Sequence, residues 1–172
     1  MKKKVVVLLA ASISLGWAQA ETKKCVPRIE QFKNLDQLIG YEGKCLEALA
    51  MGEDRTRECG GVATSIVQSD GKRMFVFQAM ENIRWTYIGT PGDAANVENE
   101  QHYVLGELMI SNSDQGRKPV LAKVDPGGAC IVRSAVNSGH ELECSATLSE
   151  LRFAFSIKFK ASAPPDIDNI CK

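Results

Sequence analysis

The sequence predicts one exported α+β domain: one or two N-terminal helices, then a curled antiparallel β meander (sheet or partial barrel), stapled by disulfides. Three observations predict it. The first twenty residues have the form of a secretory leader, apolar residues recur at helical spacing before residue 52 and at strand spacing after residue 60, and six cysteines fall beyond the leader.

The leader has three parts. Lys2, Lys3 and Lys4 give a cationic start, residues 5–18 carry no charge, and Ala18-Gln19-Ala20 puts short side chains where signal peptidase requires them. Cleavage is expected after Ala20, leaving residues 21–172 as a single domain in the periplasm or beyond it. The apolar run is shorter than the ~20 residues of a membrane-spanning helix. No later stretch is long and apolar enough to span, so no stable membrane insertion of the mature chain is expected. Three lysines leave with the leader, so 21 basic residues become 18 against an unchanged 21 acidic ones, a net charge of −3. That mild acidity argues against a nucleic-acid binder, which needs a dense basic face.

The helices come first. Ile29, Phe32, Leu35, Leu38 and Ile39 recur at helical spacing with polar residues between them. Pro27 before them and Gly40 after them are the usual punctuation of a helix. Residues 43–51 read as a second, shorter helix with Leu46 and Leu49 on one side, and the charged stretch 52–58 as a solvated connector.

The strands follow. Runs at 62–68 and 73–80 are rich in β-branched and aromatic residues and flank Asp70-Gly71, a strong hairpin signal because Gly tolerates the positive φ of a tight turn. Further strands are expected at 82–89, with Ile83, Trp85 and Tyr87 on one face, and at 102–111, 119–124, 129–136, 141–148 and 153–160. In the last of these Phe153, Phe155, Ile157 and Phe159 alternate with smaller or charged residues, the pattern of a strand buried on one face. Helices before strands point to α+β rather than alternating α/β.

Cys25, Cys45, Cys59, Cys130, Cys144 and Cys171 form an even set in an exported chain, which reads as disulfides. No pair has C-x-x-C spacing, and His102 and His140 stand alone, so neither a metal nor a cofactor is expected. A hairpin folded near residue 137 would set Cys130 opposite Cys144. Cys45–Cys59 and Cys25–Cys171 complete one connectivity; Cys25–Cys45 with Cys59–Cys171 is its main competitor.

No catalytic motif is present. There is no G-x-S-x-G elbow and no phosphate-cradling loop, and disulfide pairing removes the free thiol that Cys–His catalysis needs. Glu98, Glu100 and Glu107 are the nearest carboxylate cluster, most simply a polar loop and a solvent-facing strand position. Asp166, Asp168 and Asn169 resemble the start of a calcium loop but lack its glycine and distant Glu. No catalytic residue is assigned.

Residues 90–101 form the longest expected loop, and long loops on a rigid sheet are where binding residues concentrate. Trp85 and Tyr87 precede it and Tyr103 follows it. With Asp93, Glu98 and Glu100 they make a candidate protein-binding edge. The expected function is therefore a non-enzymatic module that binds another periplasmic or secreted protein, in the manner of an inhibitor or immunity protein. The combination of leader, disulfides and compact β domain is similar in format to small periplasmic inhibitors of lysozyme-like enzymes and to toxin immunity proteins; it carries no residues across. The alternatives are a small-ligand carrier with a pocket in the curled sheet, and a carboxylate-dependent hydrolase.

Overall fold

The computed structural model describes residues 35–92, 97–112, 118–135 and 139–169. These residues contain no helix, and eight antiparallel strands close into a barrel. In chain order the strands are β1 (Leu35–Ala50), β2 (Glu53–Asp54), β3 (Val62–Gln68), β4 (Arg73–Met80), β5 (Ile83–Pro91), β6 (Glu100–Asn112), β7 (Val120–Lys123), β8 (Ala129–Ala135), β9 (Gly139–Leu148), β10 (Phe153–Ala161) and β11 (Asp166–Asn169). Each main strand pairs with its successor, in the order β1, β3, β4, β5, β6, β8, β9, β10, and β10 returns to β1. The three short strands are extensions: β2 folds back on the end of β1, β7 continues the line of β8 along β6, and β11 continues the line of β10 along β1.

The helical part of the α+β expectation is overturned. Residues 27–34 lie outside the described residues, but everything expected to be helical from Leu35 onward is the 16-residue strand β1. Its inward residues are Ile39, Tyr41, Ala48 and Ala50, which are buried. Between Cys45 and Glu47 the register slips by one residue, a bulge at Leu46 that shifts the phase of alternation. The bulge leaves Leu46 and Leu49 pointing outward, three residues apart, which imitates a helical stripe in the sequence. Helix propensity in this stretch yields to tertiary pairing, since β1 hydrogen-bonds β3 on one side and β10 and β11 on the other. The strands expected after residue 60 are all present, 62–68 and 73–80 with the expected bounds and the others with ends shifted by no more than two residues.

Closure depends on Gly43, which the sequence places at the start of the second expected helix. A Cβ on Gly43 would stand 2.1 Å from the Lys160 carbonyl oxygen, so only glycine lets β1 and β10 approach here. Gly71, with φ 84°, makes the β3–β4 turn as its sequence implies.

The barrel encloses a filled core. Phe75, Phe77, Trp85, Tyr87, Leu108, Leu142, Ile157 and Phe159 are all buried in it. Their rings interlock edge to face: Phe77 meets Tyr87 at 6.0 Å and Trp85 meets Phe155 at 5.4 Å. Two disulfides staple the wall. Cys130 and Cys144 are direct cross-strand neighbours on β8 and β9, and Cys45 ties β1 to Cys59 in the loop before β3. Both bonds match expected pairs, and they suggest an oxidising, exported environment. Cys25, Cys171 and the leader lie outside the described residues. No described helix is long and apolar enough to cross a membrane.

Candidate functional site

The residues nominated from the sequence are not brought together as an exposed edge. Trp85 and Tyr87 are 1% and 0% exposed, inside the barrel, because the meander closes and its inner face becomes the core. Burial pushes the Tyr87 phenol far above its usual pKa, and its hydroxyl has no partner among the described residues. Tyr103 also points inward, accepting a hydrogen bond from Arg73 and donating one to Gln101 Oε1 at 3.0 Å. Asp93 lies outside the described residues. Glu98 is exposed in the turn before β6.

Glu100 is committed elsewhere. It accepts a hydrogen bond from Arg133 Nε at 2.8 Å and lies 3.0 Å from His102 Nε2, and these partners, Arg133 first, hold its carboxyl below the usual range. Arg133 reaches on to Glu143 at 2.6 Å, and Lys160 pairs with Glu141 at 3.4 Å. These residues form a cross-strand charge ladder on the outer face of β6, β8, β9 and β10. Glu107 sits apart from it, opposite Ile88 and Lys123. The three glutamates therefore form no carboxylate pair across a cleft.

Ten large hydrophobic side chains are exposed among the described residues, and four of them belong to the barrel end where β1 finishes and β10 begins. Leu49, Met51, Leu151 and Phe153 are exposed by 38%, 51%, 45% and 38%. The closing seam assembles them: Leu49 lies opposite Ser156, and the Met51 amide donates to the Ala154 carbonyl at 3.0 Å. Residues 149–152 form the tight turn between β9 and β10, closed by the Leu151 and Arg152 amides on the Leu148 and Ser149 carbonyls. Met51 and Arg152 have φ of 55° and 54°, a left-handed conformation uncommon for such side chains. Backbone held in this way tends to cluster at functional surfaces.

A groove of about 320 Å³ runs beside this rim. Leu49, Ala154 and Ser156 line one side, Ser145 and Thr147 the floor, and Pro126, Gly127 and Gly128 the far wall. The 125–128 turn is pinned in place, since the Asp125 amide donates to the Thr147 carbonyl and Ser149 Oγ donates to Asp125 Oδ2 at 2.5 Å. Its lining offers no cluster of titratable side chains. The arrangement suits an inserted apolar or small polar side chain from another molecule rather than acid–base chemistry.

The sequence reading missed this site because its residues come from three segments that meet only when the barrel closes. Comparison with protein-family models, with curated proteins and with solved structures gives no significant match, so the chemistry is read from the chain's own geometry. Among the described residues no group of three or more His, Cys, Asp or Glu is arranged to hold a metal ion.

Proposed function

We propose that this chain is an exported, non-enzymatic protein-binding module that docks another periplasmic or secreted protein on the rim formed by Leu49, Met51, Leu151 and Phe153. The observation that carries this reading is the combination of a barrel interior occupied by large buried side chains with four large exposed apolar side chains at one end, of which Leu49 also lines the groove. Such a set, bordered by polar residues, is the usual anatomy of a protein interface. The packed core disfavours a carrier that would use the lumen, and the dispersed glutamates disfavour the hydrolase reading.

The charge ladder also bears on location. Glu100, Arg133, Glu141, Glu143, Lys158 and Lys160 stand on the outer wall, where a membrane barrel would carry an apolar band. Charged residues on a lipid face cost about 2–4 kcal/mol each for Arg or Lys at the bilayer midplane. The ladder supports a wall that faces water, in keeping with our proposal that the mature module works in the periplasm after cleavage following Ala20.

The test is affinity capture with tagged mature protein and a paired variant, Leu49→Asp with Met51→Asn. Both side chains are exposed, and Asn accepts the φ of 55° at position 51, so the variant keeps its fold. A defined periplasmic partner recovered at fixed stoichiometry by the native protein, and lost with the variant, supports the proposal. Recovery of the same partner by both proteins moves the interface elsewhere.

A further inference from the structure

At the opposite end of the barrel a cation is buried with no counter-charge among the described residues. Arg73 is 9% exposed and points inward, in phase with Phe75 and Phe77 along β4. Its Nε donates to Ser65 Oγ, and its Nη1 donates to Tyr103 Oη and, at 3.1 Å, to Gln101 Oε1. Every one of these acceptors is neutral. The ion pairs among the described residues all involve other cations, so no described carboxylate is paired with Arg73. The guanidinium is held against two ring faces, 5.1 Å from the Tyr103 centroid and 5.5 Å from that of Phe75.

A desolvated cation with only neutral partners attracts an anion more strongly than the same group in water would. Its planar fork matches an oxyanion with two donors in parallel. The solvent side is closed by Gln101, whose residue is exposed and whose amide oxygen is a weaker acceptor than an ionised group. Across the mouth His140 packs beside Tyr41, with ring centroids 5.9 Å apart, and its buried Nδ1 has no partner among the described residues. A second polar group therefore waits unsatisfied at the same end.

We propose that this mouth is an oxyanion site, in which the carboxylate or phosphate group of a small ligand displaces the Gln101 amide oxygen and binds the Arg73 guanidinium. It is separate from the apolar rim, at the other end of the barrel, and stands or falls independently of it. The signal was present in the sequence: an arginine on the apolar phase of the alternation Arg73, Phe75, Phe77, Ala79.

The experiment is thermal unfolding and calorimetric titration of the mature, disulfide-bonded protein with acetate and with inorganic phosphate, at constant ionic strength set by chloride. At a hundred times its dissociation constant a bound anion raises Tm by roughly 5–10 °C for a chain of this size. Whichever probe gives the larger rise identifies the carboxylate or the phosphate as the source. Arg73→Met abolishes the response. Because that variant also removes buried hydrogen bonds, Gln101→Glu is the second arm. It supplies an internal carboxylate, so it raises the ligand-free Tm and weakens binding of the added anion at least tenfold. Absence of any response in the native protein, or an equal response in Gln101→Glu, overturns the proposal.

Discussion

Substituting Gly43 by alanine tests whether the barrel is closed. A Cβ there would lie 2.1 Å from the Lys160 carbonyl oxygen and 2.7 Å from Ala161 Cα, both backbone atoms that cannot rotate away. The seam must open locally to admit it, straining the register that pairs Gly43 with Ala161 and Ala50 with Phe155. Overpacking of this kind costs about 1–3 kcal/mol, and contact with backbone on the partner strand puts Gly43→Ala toward the upper end. For a chain of this size that lowers Tm by roughly 5–10 °C. Gly106→Ala is the control, since a Cβ there meets nothing within 4 Å; it stays within about 1 kcal/mol of the native protein. Urea and thermal unfolding followed by circular dichroism measure both. Equal stability of the two variants would mean that β1 and β10 do not meet at Gly43, and the closed barrel would be wrong.

Other predictions follow from the core and the staples. Phe77→Ala, which removes a buried ring touching Tyr87 and Phe159, lowers stability by about 3–5 kcal/mol in chemical unfolding; an unaltered midpoint would mean the lumen is not packed. Tyr87→Phe is neutral or raises stability by up to about 1 kcal/mol, because it deletes a buried hydroxyl without a described partner, and a clear loss would reveal a partner for that hydroxyl. Replacing Cys130 and Cys144 together by alanine lowers stability by about 3 kcal/mol, the worth of closing a loop of this length; a melt unmoved by the substitution would contradict it. Burial holds the His140 imidazole below its usual pKa. As pH falls, the unfolded chain takes up that proton first, so stability from the neutral ring is complete above about pH 6.5 and declines below it. Proton NMR should find His140 titrating below that value, and a higher titration point would refute its desolvation.

Strand positions after residue 60 are legible because the runs are rich in β-branched and aromatic residues, largely alternate with a period of two and are separated by turn residues, although a bulge at Gly106 shifts the inward phase within β6. Phe75, Phe77, Trp85, Tyr87, Ile157 and Phe159 are inward as their alternation implies. β1 is illegible for a physical reason. Its alternation runs Ile39, Tyr41, Gly43, Cys45, and then the bulge moves the inward set to Ala48 and Ala50. Two of those inward positions are alanines, whose propensity favours helix, while the larger Leu46 and Leu49 face out. Gly40 has the place of a helix terminator in the sequence and Gly43 that of a helix start; Gly43 instead fits the close approach of two strands.

Less of the candidate site could be read. Aromatic residues beside an acidic loop suggested an exposed edge, but sequence does not say which face of a meander turns inward. Closure answers that question by placing Trp85 and Tyr87 in the core. The rim is invisible in the sequence because Leu49 and Met51 lie about a hundred residues from Leu151 and Phe153. Arg73 could have been flagged, since a charged residue on an apolar phase either finds a partner inside or waits for one.

The central claim is that the apolar rim is the binding surface, and hydrogen–deuterium exchange of the isolated complex tests it most directly. Protection on binding is expected in the segments 49–54, 125–128 and 149–156, with none along the charged outer faces of β6 and β8. Protection confined to those charged faces, with the rim exchanging as in the free protein, would contradict it.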